Sequence, residues 1–380
     1  MTRTPVTLFL CGDVMTGRGV DQILPHPNAP DLRELHVRDA RDYVELAEKA
    51  NGPISRPVDP AYVWGDALVE LDRVAPDARI VNLETTITSS DAYWPRKRIH
   101  YRMHPANIAC LTAARIDVCT LANNHILDYG QTGLVDTVHA LHAAGIRTAG
   151  AGRDRSDAQR PATVELAADR RIIVFSLGSA TSGIPLAWSA TPQRAGVDLL
   201  DDFSDATADR VLERVARVAG RGDVVIASIH WGSNWGYGVP PSHIRLAHRL
   251  LDGDVTLVHG HSSHHPRPIE VYKGKLVLYG CGDFLTDYEG ISGYEDYRGD
   301  LALMYFPTLD PDTRTLVALR MTPMRIRRMQ ATSVSRRDAE WLSERLTWAS
   351  EEFGQRIELL RADAPDDTRL VLRGEAASHD

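Results

Sequence analysis

Apolar and polar positions alternate in blocks along this chain. Short β-branched runs at residues 6–11, 80–83, 118–121, 224–229 and 255–258 each break off at a polar or glycine-bearing turn. The turns read Gly12-Asp13, Glu84, Asn123-Asn124-His125, His230-Trp231-Gly232 and His259-Gly260-His261. Between the runs, helical spacing appears at residues 63–74, 106–114, 134–144, 206–218 and 243–251. This alternation predicts an α/β protein with buried strands. The polar groups follow the strands' C-terminal ends, the edge where ligands bind in layered α/β sheets. Residues far apart in sequence are therefore expected to share one site.

Two stretches interrupt the pattern. Residues 21–62 are rich in proline and charge around a helical piece at 38–48, and residues 88–105 carry Tyr93, Trp94, Arg96, Lys97, Arg98, Tyr101 and Arg102. Loops of this length usually serve as lids or binding segments. After residue 268, runs at 269–272, 276–279, 301–306 and 316–321 predict successive antiparallel strands, with a hairpin turn at Lys273-Gly274. A helix at 338–353 is expected to pack on the outside, and residues 374–380 to form a frayed tail. The expected organisation is one catalytic unit over 1–330, with insertions at about 21–62 and 88–105, and a C-terminal helix and tail over 331–380.

Composition narrows the classes. Hydrophobic residues make up 43% and charged residues 25% of the 380, which is globular. Lys+Arg 43 against Asp+Glu 51 gives a net charge of −8, so there is no basic footprint for nucleic acid. No apolar run is long enough to span a membrane. The N-terminal apolar run is short and enters Gly12-Asp13 at once, so no signal peptide is expected. Four widely spaced cysteines read as buried free thiols. Together these point to a cytoplasmic protein with neither nucleic-acid nor membrane partners; the oligomeric state is not legible.

Histidine carries the chemistry. Seven of 15 histidines lie within residues 230–265. Asp13, Glu84 and Asn124 offer hard oxygen ligands, and His230, His261 and His264 offer imidazoles. Asp13 also fits an Asx-turn and Asn124 a left-handed turn residue. Asp128, three residues after His125, is close enough to fix that ring's tautomer. His243 and His248 sit on a helical pattern and read as structural.

On these five strand-end motifs the chain resembles the calcineurin-like metallophosphoesterase superfamily, and within it the CapA branch, named for a poly-γ-glutamate capsule protein. The resemblance covers roughly residues 6–310. It implies a four-layer α/β/β/α sandwich whose motifs surround one or two metal ions. Three departures stand out. The superfamily's Asp-x-His reads Asp13-Val14-Met15 here, and a thioether is a poor ligand for a hard divalent ion. Glu84 stands where a bridging Asp is usual. The CapA-type Gly-His-His-Pro-His reads Gly260-His261-Ser262-Ser263-His264. The second metal position therefore looks impaired, and one ion, or one tight and one weak, is expected on Asp13, Glu84, Asn124, His230 and His261, with Ca²⁺, Mn²⁺ or Mg²⁺ favoured over Zn²⁺.

One metal with spare histidines suits acid–base chemistry. His125–Asp128 would form one pair; His264, helped by Asp13 or Asp283, the other. Two bases on opposite faces of one carbon are what epimerisation needs. The chain is similar in this respect to a CapA-like lasso-peptide epimerase, which inverts the C-terminal tryptophan of a precursor peptide. That resemblance implies a precursor-peptide partner. Trp231, Trp235, Tyr237, Trp94 and Tyr101 could stack on an aromatic side chain, with Arg96, Lys97, Arg98 or Arg102 on a terminal carboxylate. Trp231 equally fits a core position and the basic run a solvated face. The alternatives are a metallophosphoesterase, a CapA-like factor in poly-γ-glutamate synthesis, and a peptide-binding module with a degenerate site.

Overall fold

The computed structural model describes residues 4–166, 170–360 and 368–374. Two main sheets face each other. The larger, of ten strands, is built on Val6–Val14. On one side of it run Ala78–Leu83, Val118–Thr120 and Arg147–Ala149, all parallel. On the other side, Leu301–Asp310 pairs antiparallel with Val6–Val14 and then with Thr315–Arg327. The smaller sheet, of six strands, has four parallel ones: Arg170–Gly178, Val224–His230, Leu257–His261 and Lys275–Leu278.

Period-2 alternation sorts the side chains into layers. Leu8 and Leu10 meet Ile172, Val174, Ile226 and Leu257 between the sheets. Phe9 and Cys11 face outward onto Val44, Trp64, Leu71 and Leu134 of the first helices. Ile173, Phe175 and Val225 face the other way, onto Val211, Val215, Leu246 and Leu250 of the helices Asp205–Ala216 and Pro241–Asp252. The result is the expected α/β/β/α sandwich. All four cysteines are buried and free. No helix among the described residues is long and apolar enough to cross a membrane.

Several boundaries differ from expectation. The strand expected at 255–258 runs Leu257–His261, so both histidines of its motif lie in the strand and not after it. The 106–114 helix shrinks to Ala109–Ala113, because Pro105 opens a separate 3₁₀ turn. The strands after 268 are not one antiparallel run. Ile269–Tyr272 and Lys275–Leu278 form a hairpin in the smaller sheet, whereas Leu301–Asp310 and Thr315–Arg327 belong to the larger. The C-terminal helix runs Arg336–Ser350, and its Leu342 and Leu346 reach the core between the sheets. Of the expected 374–380 tail, Gly374 closes the strand Arg369–Gly374, and the rest lies outside the described residues.

The crossing between the sheets positions the site. Asp283–Leu285 pairs parallel with the first strand and sets Asp283 opposite Asp13. The approach is close: a Cβ on Gly12 would lie 1.6 Å from the Gly282 carbonyl oxygen. Gly282 itself holds φ +77°, a left-handed conformation that glycine adopts without strain. Gly12→Ala should therefore force these strands apart and destabilise the protein by about 3 kcal/mol or more. Denaturant unfolding checks this, and an unchanged midpoint would contradict it.

Candidate metal and acid–base site

The parallel strands of both sheets end at one place. Asp13 comes from the larger sheet, and His230 and His261 come from adjacent strands of the smaller, in register with each other. All three are fully buried, and one ligand atom of each lies within 4.8 Å of the others. His230 Nδ1 is 3.9 Å and His261 Nδ1 3.7 Å from Asp13 Oδ1. The two Nδ1 atoms are 2.8 Å apart.

Hydrogen-bond partners assign the protons. His259 Nε2 faces the Cys11 carbonyl at 2.8 Å, so Nε2 donates and Nδ1 accepts. Ser228 Oγ lies 3.1 Å from His259 Nδ1 and also donates to Thr120 Oγ1 at 3.3 Å. It accepts from His261 Nε2 at 2.9 Å. His230 Nε2 donates to Asn124 Oδ1 at 3.0 Å. Both facing Nδ1 atoms are thus left as lone pairs. Burial, then His125, His264 and Lys97, pushes His230 well below the ordinary histidine range. Burial and His230 do the same to His261. A shared proton is thereby disfavoured.

Two lone pairs and a carboxylate at these separations fit a divalent cation, since donors about 2.1 Å from one ion lie roughly 3–4 Å apart. Asn82 Nδ2 donates to Asp13 Oδ1 at 2.6 Å and the Ser262 N–H to Oδ2 at 3.1 Å, which orient the carboxylate. Burial, then Asp283, pushes the Asp13 carboxyl up to about 7.

The two other expected ligands sit differently. Asn124 reaches the His230 Nε2 atom and orients that ring; it does not join the three donors. Glu84 lies on the far side of His230, with Oε1 3.6 Å from His230 Nε2 and 3.8 Å from His125 Nε2. Its Oε2 is buried without a hydrogen-bond partner. Burial, then Asp13 and Asp283, raises the Glu84 pKa well above its usual value. An orphaned buried carboxylate oxygen is a second sign that positive charge belongs here.

Both expected acid–base pairs are present. His125 Nδ1 meets Asp128 Oδ2 at 2.6 Å. His264 Nδ1 lies 3.0 and 3.1 Å from the Asp283 oxygens, so Asp283 and not Asp13 is its partner. Burial lowers the His264 pKa, but Asp283 overcomes it and the net shift is upward. Asn234 Nδ2 contacts His264 Nε2 at 2.9 Å. His125 is held well below the usual histidine range by burial and then by Lys97. Lys97 pairs with Asp128 and lies 2.9 Å from His125 Nδ1. Burial raises Asp128 to about 6 against the pull of Lys97.

The expected substrate contacts divide. Tyr101 is in the site, stacked on His125 at 4.0 Å, and its hydroxyl meets that of Tyr288 at 2.5 Å. Trp235 lies 5.3 Å from His264, and Tyr237 beyond it packs on His265 and Tyr297. Trp231 is core: its Nε1 donates to the Tyr279 carbonyl and its ring stacks on His243. Arg102 is turned away, held by the Ser90 carbonyl and Asp91. Arg98 is exposed, and Trp94 packs edge-on against buried Trp188. Trp188 thus belongs to the wall behind the 88–105 loop. Sequence reasoning passes over Asn82, Ser228, Asn234, His259 and Tyr288 as individual contributors, and it does not separate Lys97 from the other cations of the basic loop. Met15, at the departed histidine position, accepts a hydrogen bond from the Tyr288 hydroxyl at 3.4 Å.

Fold and site together define an α/β/β/α protein with a carboxylate–imidazole centre of the kind that binds a metal. The chain belongs to the family described as bacterial capsule synthesis protein PGA_cap, which it matches over residues 7–288. It is 51% identical over 353 residues to a probable polyglutamine synthesis accessory protein of Mycobacterium tuberculosis, covering 93% of each chain. It is 26% identical over 277 residues to the PGA biosynthesis protein CapA of Bacillus subtilis, covering 73% of this chain and 62% of that one. Among solved structures, the protein TT1561 of Thermus thermophilus matches 82% of this chain and 97% of its own, at 12% identity and a TM-score of 0.39.

Removing the ammonium of Lys97 relieves a repulsion felt only by the charged imidazole. In Lys97→Met, His125 should titrate at higher pH than in the wild type. Side-chain NMR titration measures this, and an unchanged or lower value would contradict the assigned contact.

Proposed function

We propose that this protein is a metal-dependent hydrolase acting on amide linkages of a glutamate- or glutamine-derived chain during polymer synthesis. The observation that carries the metal is the facing pair of lone pairs on His230 and His261 beside Asp13. The substrate class is supported by kinship, since relatives aligned over most of this chain are named for polyglutamine and capsule synthesis. Two-ion phosphoryl transfer is less well supported, because the second-ion position offers the Met15 thioether.

Asp13, His230 and His261 would hold the ion, which would supply Lewis acidity toward an amide or carboxylate oxygen. Of the ions expected from sequence, Mn²⁺ suits two imidazoles and a carboxylate best; Ca²⁺ and Mg²⁺ prefer all-oxygen sites. The chain's own residues handle protons. Asp128 fixes His125 through Nδ1, so Nε2 faces inward, and the lowered pKa keeps it neutral and ready to take a proton from the water that attacks the amide carbon. His264, its pKa raised by Asp283, holds a proton on Nδ1 and is the group to supply one to the leaving amine as the C–N bond breaks. Glu84 lies beside both His125 and His230.

A second reading is epimerisation at Cα, as on the C-terminal tryptophan of a lasso-peptide precursor. It is favoured by one feature: the metal donors lie between the two His–Asp pairs in the chain of contacts from His125 through Glu84, His230, Asp13 and Asp283 to His264.

Incubating Mn²⁺-loaded protein with oligoglutamine and with γ-linked oligoglutamate in D₂O separates the readings by mass spectrometry. Chain shortening is expected, reduced about 100-fold or more in His125→Ala. Deuterium at Cα without shortening, on these chains or on a tryptophan-ended peptide, would move the assignment to epimerisation. Neither change on any chain would overturn both. Elemental analysis should find metal in the wild type and little in His261→Ala; equal content would remove the proposed centre.

A further inference from the structure

A run of aromatic rings leads outward from His264. Trp235, 5.3 Å from that ring, stacks on Tyr294 at 4.0 Å and lies 5.2 Å from Tyr297. Tyr297 is 5.6 Å from Tyr237, and Tyr237 is 5.3 Å from Trp348. A cavity of about 440 Å³ opens among Tyr237, Tyr297, Trp341 and Arg345, lined also by exposed Glu295 and Asp296.

The Arg336–Ser350 helix already buries Ala339, Leu342 and Leu346. Trp341, Arg345 and Trp348 form a second stripe at i, i+4 and i+7. Trp348 is 56% and Tyr294 51% exposed, so the rings form a surface patch continuous with the site. Arg345 lies over Tyr237, Trp341 and Trp348 at 5.4, 5.4 and 5.1 Å. Among the described residues it pairs with no carboxylate, whereas neighbouring Arg298 is held by Asp300 and Asp338.

Charge selects the ligand. With Arg298 neutralised by Asp300 and Asp338, Glu295 and Asp296 outnumber Arg345, so the groove repels a chain with a carboxylate on every residue. Flat aromatic faces suit amide planes, the two carboxylates can accept amide N–H groups, and the guanidinium of Arg345 can take one carboxylate. We propose that this groove binds an extended, weakly charged amide chain of the polyglutamine type. Arg345 holds its single terminal carboxylate while an inner linkage reaches His264. This rests on the reading that the site acts on an amide chain, and it names which kind.

Isothermal titration of the whole protein with an oligoglutamine decamer tests it without metal or turnover. Saturable binding is expected, little affected by salt, and weakened roughly ten-fold or more in Arg345→Ala and Trp348→Ala. Both positions lie on the partly exposed stripe, and unchanged thermal unfolding confirms that the variants fold. No binding, wild-type binding by both variants, or tighter and salt-sensitive binding of γ-linked oligoglutamate would each overturn the groove assignment. Oligoglutamine that binds but is never cleaved would instead uphold the groove and count against the hydrolytic reading.

Discussion

Two imidazole lone pairs held face to face in a dry interior are the constraint on which this protein's site depends. Such an arrangement is repulsive unless a cation lies beside it, and nothing in the protein's own hydrogen bonding removes it. The backbone imposes it. His230 and His261 sit opposite each other on neighbouring parallel strands, so the register of the sheet fixes their separation. Ser228 and His259, two residues earlier on the same strands, lie on the same face and commit the His261 proton to its far nitrogen. The tautomer is thus a product of strand pleating as much as of local chemistry.

Much of this was legible in the chain. Buried parallel strands that stop abruptly at Asp, Asn or His mark a shared edge, and Asp13, His230 and His261 meet there. The His125–Asp128 pair follows from spacing within one turn. The failures have equally physical causes. Trp231 follows His230 along a strand direction, and alternation turns it to the opposite face, toward the helices and His243. Asn124 and Glu84 carry suitable oxygens, but both lie on the Nε2 side of His230, and sequence does not say which ring nitrogen faces the donors. Lys97 and Arg102 look alike in a basic loop, yet one points to Asp128 and the other to Asp91, a choice made only by the loop's path. The sheet change after Leu278 carries no periodic signal at all.

The substitution at Met15 shows how the site compensates locally. Its sulfur receives the Tyr288 hydroxyl, and Tyr288 in turn meets Tyr101. Tyr101 lies against His125, and Tyr288 packs edge-on to His264 at 5.5 Å. Arg18, held by Glu34 and Asp287, sits behind both phenols. A neutral, hydrogen-bonded aromatic wall therefore connects the two acid–base pairs on the Met15 side, where the resemblance drawn from sequence predicts a histidine.

The three metal donors belong to different sheets, one carboxylate from the larger and two imidazoles from the smaller. The layer of Leu8, Leu10, Ile172, Val174 and Ile226 between those sheets thus acts as a spacer that sets the width of the centre. An ion held there is a clasp across the sandwich. By mass action, an ion bound at the mouth of the molecule would couple its occupancy to the cohesion of the two halves, and resistance to unfolding would track the supply of cation.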